Sequence, residues 1–401
     1  MPFLFTSFSK LSRVIAACGI MAVGVAACGL KNDKTAETHK LKDPVVQSAE
    51  AIPQGRLGEN VRPLHYRLDF TIDPDKDSFS GQADITVEIK KATRKIWLHG
   101  QTLNVTSASV IDANGKAKAL HYHEIPLQQA PSGVAALDFD TPVGPGKVHL
   151  LMSWTTPYNT KLNSAYKVRR DGENYIITQF EAIGARQAFP SFDEPRFKVP
   201  FDVSITAPKR DFVYANTPEI RTEERDGQIT HVFATTRPLP TYLVAFGVGP
   251  WDVVKAADIP ANDVRKHALP LRGIAVKGQG KNLSYALAHA GELLAIEEQY
   301  FGMAYPYEKL DLIAAPDYNF GAMENPGAIV FTEFLLLMNA QASLGQRRAY
   351  ASVTAHEEAH QWFGDLVTPA WWDDIWLNEA FATWMGNKTI DKWKPDGNFD
   401  R

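Results

Sequence analysis

Cysteine is nearly absent: the 401 residues contain two, Cys18 and Cys28, both close to the start. Any fold beyond residue 28 therefore holds no disulfide and must rest on its own core. Long apolar spans are missing too. Val14 to Ala27 is apolar or small throughout, but its 14 residues fall short of the roughly 20 a membrane-crossing helix needs. There is no basic tract or arginine-rich arm. With 42 basic and 46 acidic residues, a net charge of −4 and a pI near 6.3, nothing points to a nucleic-acid partner. Internal repeats and low-complexity segments are also lacking. What is present is ordinary globular composition, 45% hydrophobic and 22% charged, at a length that suits two or three domains.

The first residues read as an export signal. Lys10 and Arg13 form a basic start, the apolar run follows, and it ends in Val25-Ala26-Ala27-Cys28-Gly29. That ending is similar to a bacterial lipobox, in which cleavage precedes the cysteine and its thiol receives a diacylglycerol. Residues 1–27 are then a signal peptide and Cys28 the lipidated first residue. The alternative is an ordinary signal with a chance cysteine. Gly29, rather than Asp, after Cys28 resembles the pattern sorted to the outer membrane, which places the chain outside the bacterial cytoplasm, facing the periplasm. Residues 28–54 are polar, without apolar period, and read as a tether.

From Arg62 the pattern alternates. Tyr66, Leu68, Phe70 and Ile72 form one set, and Ala83, Ile85, Val87 and Ile89 another, each marking the buried face of a strand. Further short apolar runs follow, punctuated by Gly, Pro and Asn, so residues 55–250 read as an all-β domain. After that the spacing turns helical. Leu283, Leu287, Leu294 and Phe301 predict a helix over 281–300, and a second is expected over 347–364. Two strand-like runs, LDLIAA and GAIVFTE, bracket the loop GAMENPG. Residues 251–401 therefore read as an α+β region.

The stretch HEEAHQWFGDLVTPAWWDDIWLNEAFATW, residues 356–384, carries the chemistry. His356 and His360 are one helical turn apart, so both imidazoles leave the same face. Two such imidazoles can meet one zinc ion at about 2.0–2.1 Å. Glu357 lies beside the first, suited to hold a water. Glu379 can supply a third ligand if residues 371–384 form a second, antiparallel helix. The bland alternative is a charged helix followed by an aromatic-rich one. His121 and His123, in HYHE, read as an exposed strand rather than a metal site.

Four stretches, TQFEAIGARQAFPSFDEP, GAMEN, HEEAHQWFGDLVT and WLNEAFATW, resemble the aminopeptidase N group of gluzincin zinc peptidases over roughly residues 60–401. The resemblance implies a saddle-like antiparallel β-domain followed by the first part of a thermolysin-like catalytic domain. It implies one zinc on His356, His360 and Glu379, with Glu357 as general base. Glu324 matches the clamp for a substrate's free α-amine, and Glu181 a second amine-binding position. Gly321 and Ala322 match backbone that lines the substrate. The implied partners are peptides with a free N-terminus.

Two departures stand out. Position 358 is Glu where the family often has an apolar residue; pointing away from the metal, it is expected to matter little. More seriously, the family's oxyanion tyrosine follows the third ligand by several dozen residues, and no tyrosine follows Glu379 here. The sequence is then a gene fragment or a natural short form, expected to be a poor catalyst alone and to expose apolar surface on its last helices. Against the aminopeptidase stands a non-catalytic, zinc-binding surface lipoprotein whose β-domain is an interaction module. A zinc endopeptidase fits less well, because it needs no amine clamp.

Overall fold

The computed structural model describes residues 51–395 except 113, 114 and 340. Cys28, the signal peptide and all but the end of the tether lie outside the described residues. Ile52 and Gln54, at that end, already meet the β-domain: Ile52 packs on its core, and the Gln54 amide donates to the Gln129 carbonyl at 3.0 Å.

Alternation sets the first domain. Tyr66, Leu68 and Phe70 of strand Val61–Thr71 are buried, as are Ala83, Ile85, Val87 and Ile89 of strand Ser78–Ile89. The two pair antiparallel, with Tyr66 opposite Ile85 and Leu68 opposite Ala83, so both apolar sets face one side. They sit inside an eight-stranded sheet, beside sheets of three and four strands. The inner faces close a core that includes the fully buried Trp154, Phe189 and Phe246. One pairing departs from a purely antiparallel sheet: Val61–Thr71 runs parallel to Phe201–Pro208, with Tyr66 opposite Phe201. Period two reports which face is buried but not which strand lies alongside. The HYHE segment is a strand at the edge of the three-stranded sheet.

A five-stranded sheet begins at Asp252. Its three inner strands, Leu271–Ala275, Leu310–Ala315 and Ala328–Thr332, run parallel, and the helix α1 (Ser284–Phe301) makes the crossover between the first two. Every residue of LDLIAA is buried, as a central parallel strand requires. Asp311 within it is neutralised by Lys309 at 2.7 Å and Arg272 at 2.6 Å. The GAMEN stretch forms the edge: Ala322–Met323 pairs antiparallel to Ala328–Thr332, and Glu324 heads the turn between them.

Three more helices complete the described chain: the short α2 (Glu333–Leu336), α3 (Leu344–His360) and α4 (Trp376–Trp393). The expected boundaries shift for local reasons. Residues 280–283 form a 3₁₀ turn ahead of α1. Ser343 caps α3 by accepting from the Gln346 N–H at 3.1 Å, so α3 starts three residues early. It ends at His360, where the chain turns back and the Gly364 N–H reaches the Val367 carbonyl at 2.8 Å. Among the described residues no helix is long and apolar enough to cross a membrane.

Candidate active site

His356 and His360 leave the last turn of α3 towards α4. Glu379 comes from the first turn of α4, and the helices run antiparallel, since His360 meets Glu379 while His356 also meets Thr383 further along. Close approach makes this possible. A β-carbon on Gly386 would stand 3.0 Å from the His356 backbone nitrogen, so a side chain there would require the two helices to give by a few tenths of an ångström.

The two Nε2 atoms face each other at 2.9 Å, and Glu379 Oε2 lies 3.3 Å from one and 3.7 Å from the other. The outer nitrogens are engaged. His360 Nδ1 stands 3.0 Å from the Phe363 carbonyl, which can only accept, so Nδ1 carries a proton and Nε2 faces inward. His356 Nδ1 lies 3.3 Å from Thr383 Oγ1. Two imidazole nitrogens and a carboxylate turned on one point are the donor set of a catalytic zinc site. The residues present fit such an ion.

Around this trio the charge is acidic. Ligand atoms of Glu324, Glu357 and His360 lie within 4.8 Å of one another, and so do those of Glu181, Glu324 and Glu379. Among the described residues none of these four glutamates pairs with a lysine or arginine. Arg186, a conceivable partner for Glu181, is instead committed to Asp193 at 2.8 Å. Burial pushes the Glu181 carboxyl up to about 8, helped by the Glu324 and Glu379 charges. Burial, with Glu379 adding to it, lifts Glu324 to about 7. Glu357 is driven well above the carboxylate range by burial and then by Glu324, Glu379 and Glu181. Glu379 moves the other way, held low by its hydrogen bonds to His356 and His360. One Glu324 oxygen is buried without a hydrogen-bond partner among the described residues. The arrangement is a socket for positive charge.

Residues 285–401 match the Peptidase family M1 domain, and residues 62–243 match the Peptidase M1 N-terminal domain. The chain belongs to peptidase family M1. Aminopeptidase M1-A of Oryza sativa subsp. japonica is 34% identical over 360 residues, 88% of this chain and 40% of that protein. Aminopeptidase N of Acetobacter pasteurianus is 34% identical over 339 residues, 82% of this chain and 91% of that protein. Glutamyl aminopeptidase of Bos taurus is 32% identical over 338 residues, 82% of this chain and 35% of that protein. This family M1 chain thus spans about 40% of the length of the first relatives it matches.

Gly321, Ala322 and Glu181, the remaining positions expected to face a substrate, sit where the GAMEN edge strand meets the β-domain. The Gly321 carbonyl accepts from the Thr332 N–H at 2.7 Å, and Ala322 is partly buried beside it. Glu181 begins the turn after strand Glu173–Gln179. Gln179 ties the two parts, taking a hydrogen bond from the Tyr318 hydroxyl and giving one to the Met323 sulfur at 3.4 Å. Tyr318, Gln361 and Thr383 went unread in the sequence, because none stands at a motif spacing. Glu358 does point away from His356 and His360, but into the core. It is fully buried, neither oxygen has a hydrogen-bond partner among the described residues, and Glu297 and Glu298 of α1 are its charged neighbours. The outer face of α4 exposes Trp376 (60%), Leu377 (49%) and Trp384 (47%).

Proposed function

We propose that this family M1 chain carries the chemistry of a zinc-dependent aminopeptidase. One observation carries the reading: an inward-facing His356–His360–Glu379 trio lies against the half-buried Glu181 and the buried Glu324, neither with a basic partner among the described residues. The trio suits zinc. Glu181 and Glu324 suit an ammonium group, and an N-terminal amine, with a reference pKa near 7.7–8.0, is largely ammonium at neutral pH. A zinc ion, when bound, polarises the scissile carbonyl and lowers the pKa of its water to about 7. Glu357, whose carboxylate lies close to His360 and Glu324, would accept that proton and return it to the departing amine. Glu181 and Glu324 hold the substrate's ammonium at one distance from the scissile bond. That fixed distance selects the first peptide bond and disfavours internal cleavage, which speaks against the endopeptidase.

Hydrolysis of leucine 4-methylcoumarinamide, compared with its N-acetylated form, tests the reading. The free amine should be the far better substrate, and Glu324→Ala should erase most of the difference while leaving zinc content intact. Equal cleavage of the acetylated compound by the parent would refute the aminopeptidase reading. We further propose that Cys28 anchors the chain by a lipid in a bacterial envelope membrane; the lipobox-like VAAC after the apolar run supports this.

A further inference from the structure

The trio sits on two helices, whereas Glu324 belongs to the edge of a sheet. Something must set the spacing between them, and Gln361 is the residue that reaches across. It follows His360 directly, its side chain turns inward, and it is fully buried. Its amide nitrogen donates to the Glu324 main-chain carbonyl at 2.7 Å and lies 3.3 Å from the Glu357 carbonyl. Both N–H groups of the amide are thereby used. Its oxygen faces the Tyr305 hydroxyl at 3.3 Å, and that hydroxyl is also 3.1 Å from the Lys309 carbonyl.

The far side of the same turn is held independently. Asn216 donates to the Pro326 carbonyl at 3.1 Å, and Lys309 to the Gly327 carbonyl at 2.6 Å. Those bonds fasten the turn to the β-domain and to the strand Leu310–Ala315. Among the described residues, the Gln361 amide makes the one hydrogen bond from the α3 end to this turn. A short, buried bond between a helix end and a sheet edge is a stiff spacer, because the unmet carbonyl would have no water to turn to.

We propose that Gln361 is a positioning residue that fixes the distance between the metal trio and the ammonium-binding carboxylate of Glu324, and so confines the site to N-terminal residues. The inference rests on the aminopeptidase reading. It separates two properties that a general packing role would move together: affinity for a ligand that spans both points, and affinity for one that uses the metal alone.

The test uses binding, not turnover, on the zinc-loaded 401-residue chain. L-Leucine hydroxamate offers a metal-binding group and a free amine; N-acetyl-L-leucine hydroxamate offers the first alone. In the parent the free amine should tighten binding about 10- to 100-fold, the range for hydrogen bonds to a charged group. Gln361→Met removes both N–H groups at nearly constant volume, and Gln361→Asn keeps an amide too short to reach. Both should cut the preference at least tenfold while zinc content and the affinity of the acetylated ligand stay within twofold of the parent. Ile85→Val, in the β-domain core, should lower stability without moving the preference. A parent preference that survives in both Gln361 variants, or a loss of affinity shared equally by the two ligands, overturns the inference. A parent with no preference overturns the aminopeptidase reading beneath it.

Discussion

Thr383 Oγ1 stands 3.3 Å from His356 Nδ1, so α4 supplies the Glu379 carboxylate and also touches the back of the imidazole opposite it. A ligating histidine held at its second nitrogen keeps its ring orientation, and losing such a partner typically costs about 10- to 100-fold in metal affinity. Thr383→Val, of the same shape without the hydroxyl, should weaken zinc binding within that range, and Thr383→Ser should restore it. Competition with a chromophoric chelator measures both. Unchanged affinity in Thr383→Val would mean that helix packing alone holds His356.

The Thr383 contact shows where legibility in the sequence ends. His356, Glu357 and His360 could be read because spacing four on a helix is local geometry, and Glu379 followed from a single return of the chain. Thr383 meets His356 across 27 residues and Gln361 meets Glu324 across 37, through the rotation of packed elements. No local period encodes that rotation. In the same way, alternation identified Tyr66 and Leu68 as buried but not their parallel neighbours Phe201 and Val203. For Glu358 the helical period gave the direction of the side chain. It could not say that another helix covers that direction with glutamates.

Glu358 carries a stability prediction. A buried carboxyl with neither oxygen paired costs about 1–3 kcal/mol against an apolar side chain that fits the same space. Glu358→Leu should therefore raise the free energy of unfolding by about that amount in urea titrations at pH 7.5. A destabilised variant would show that Glu358 has a partner worth more than its burial costs.

Glu297 predicts a pH dependence. It is fully buried, one oxygen accepts from the Thr389 hydroxyl at 3.0 Å, and burial holds its carboxyl well above the ordinary value. Above an unfolded pKa of about 4.3, the unfolded chain releases this proton and the folded chain keeps it. The unfolded state then binds fewer protons, so the group's contribution to stability falls as pH rises from there towards its folded pKa. Glu297→Gln keeps the Thr389 contact and removes the titration. Its stability relative to the parent should grow between pH 5 and pH 7.5, by at most about 1.4 kcal/mol per pH unit. A constant difference across that interval would contradict the assignment.

Cys28 is expected to be the first residue of the mature protein and to carry a diacylglycerol. Mass spectrometry of the amino-terminal peptide from the membrane fraction checks this, and Cys28→Ser should release the chain into the soluble fraction. A soluble parent that begins at another residue would sink the anchor.

The proposed function requires one ion held by His356, His360 and Glu379. The most direct measurement is the zinc content of the purified chain after dialysis against a weak chelator, by inductively coupled plasma mass spectrometry, for the parent and for His360→Ala. The parent should retain about one zinc per chain. His360→Ala, left with two of the three ligands, should retain little, and acidification that protonates the histidines should empty the parent as well. Equal zinc in the two proteins would contradict the site itself.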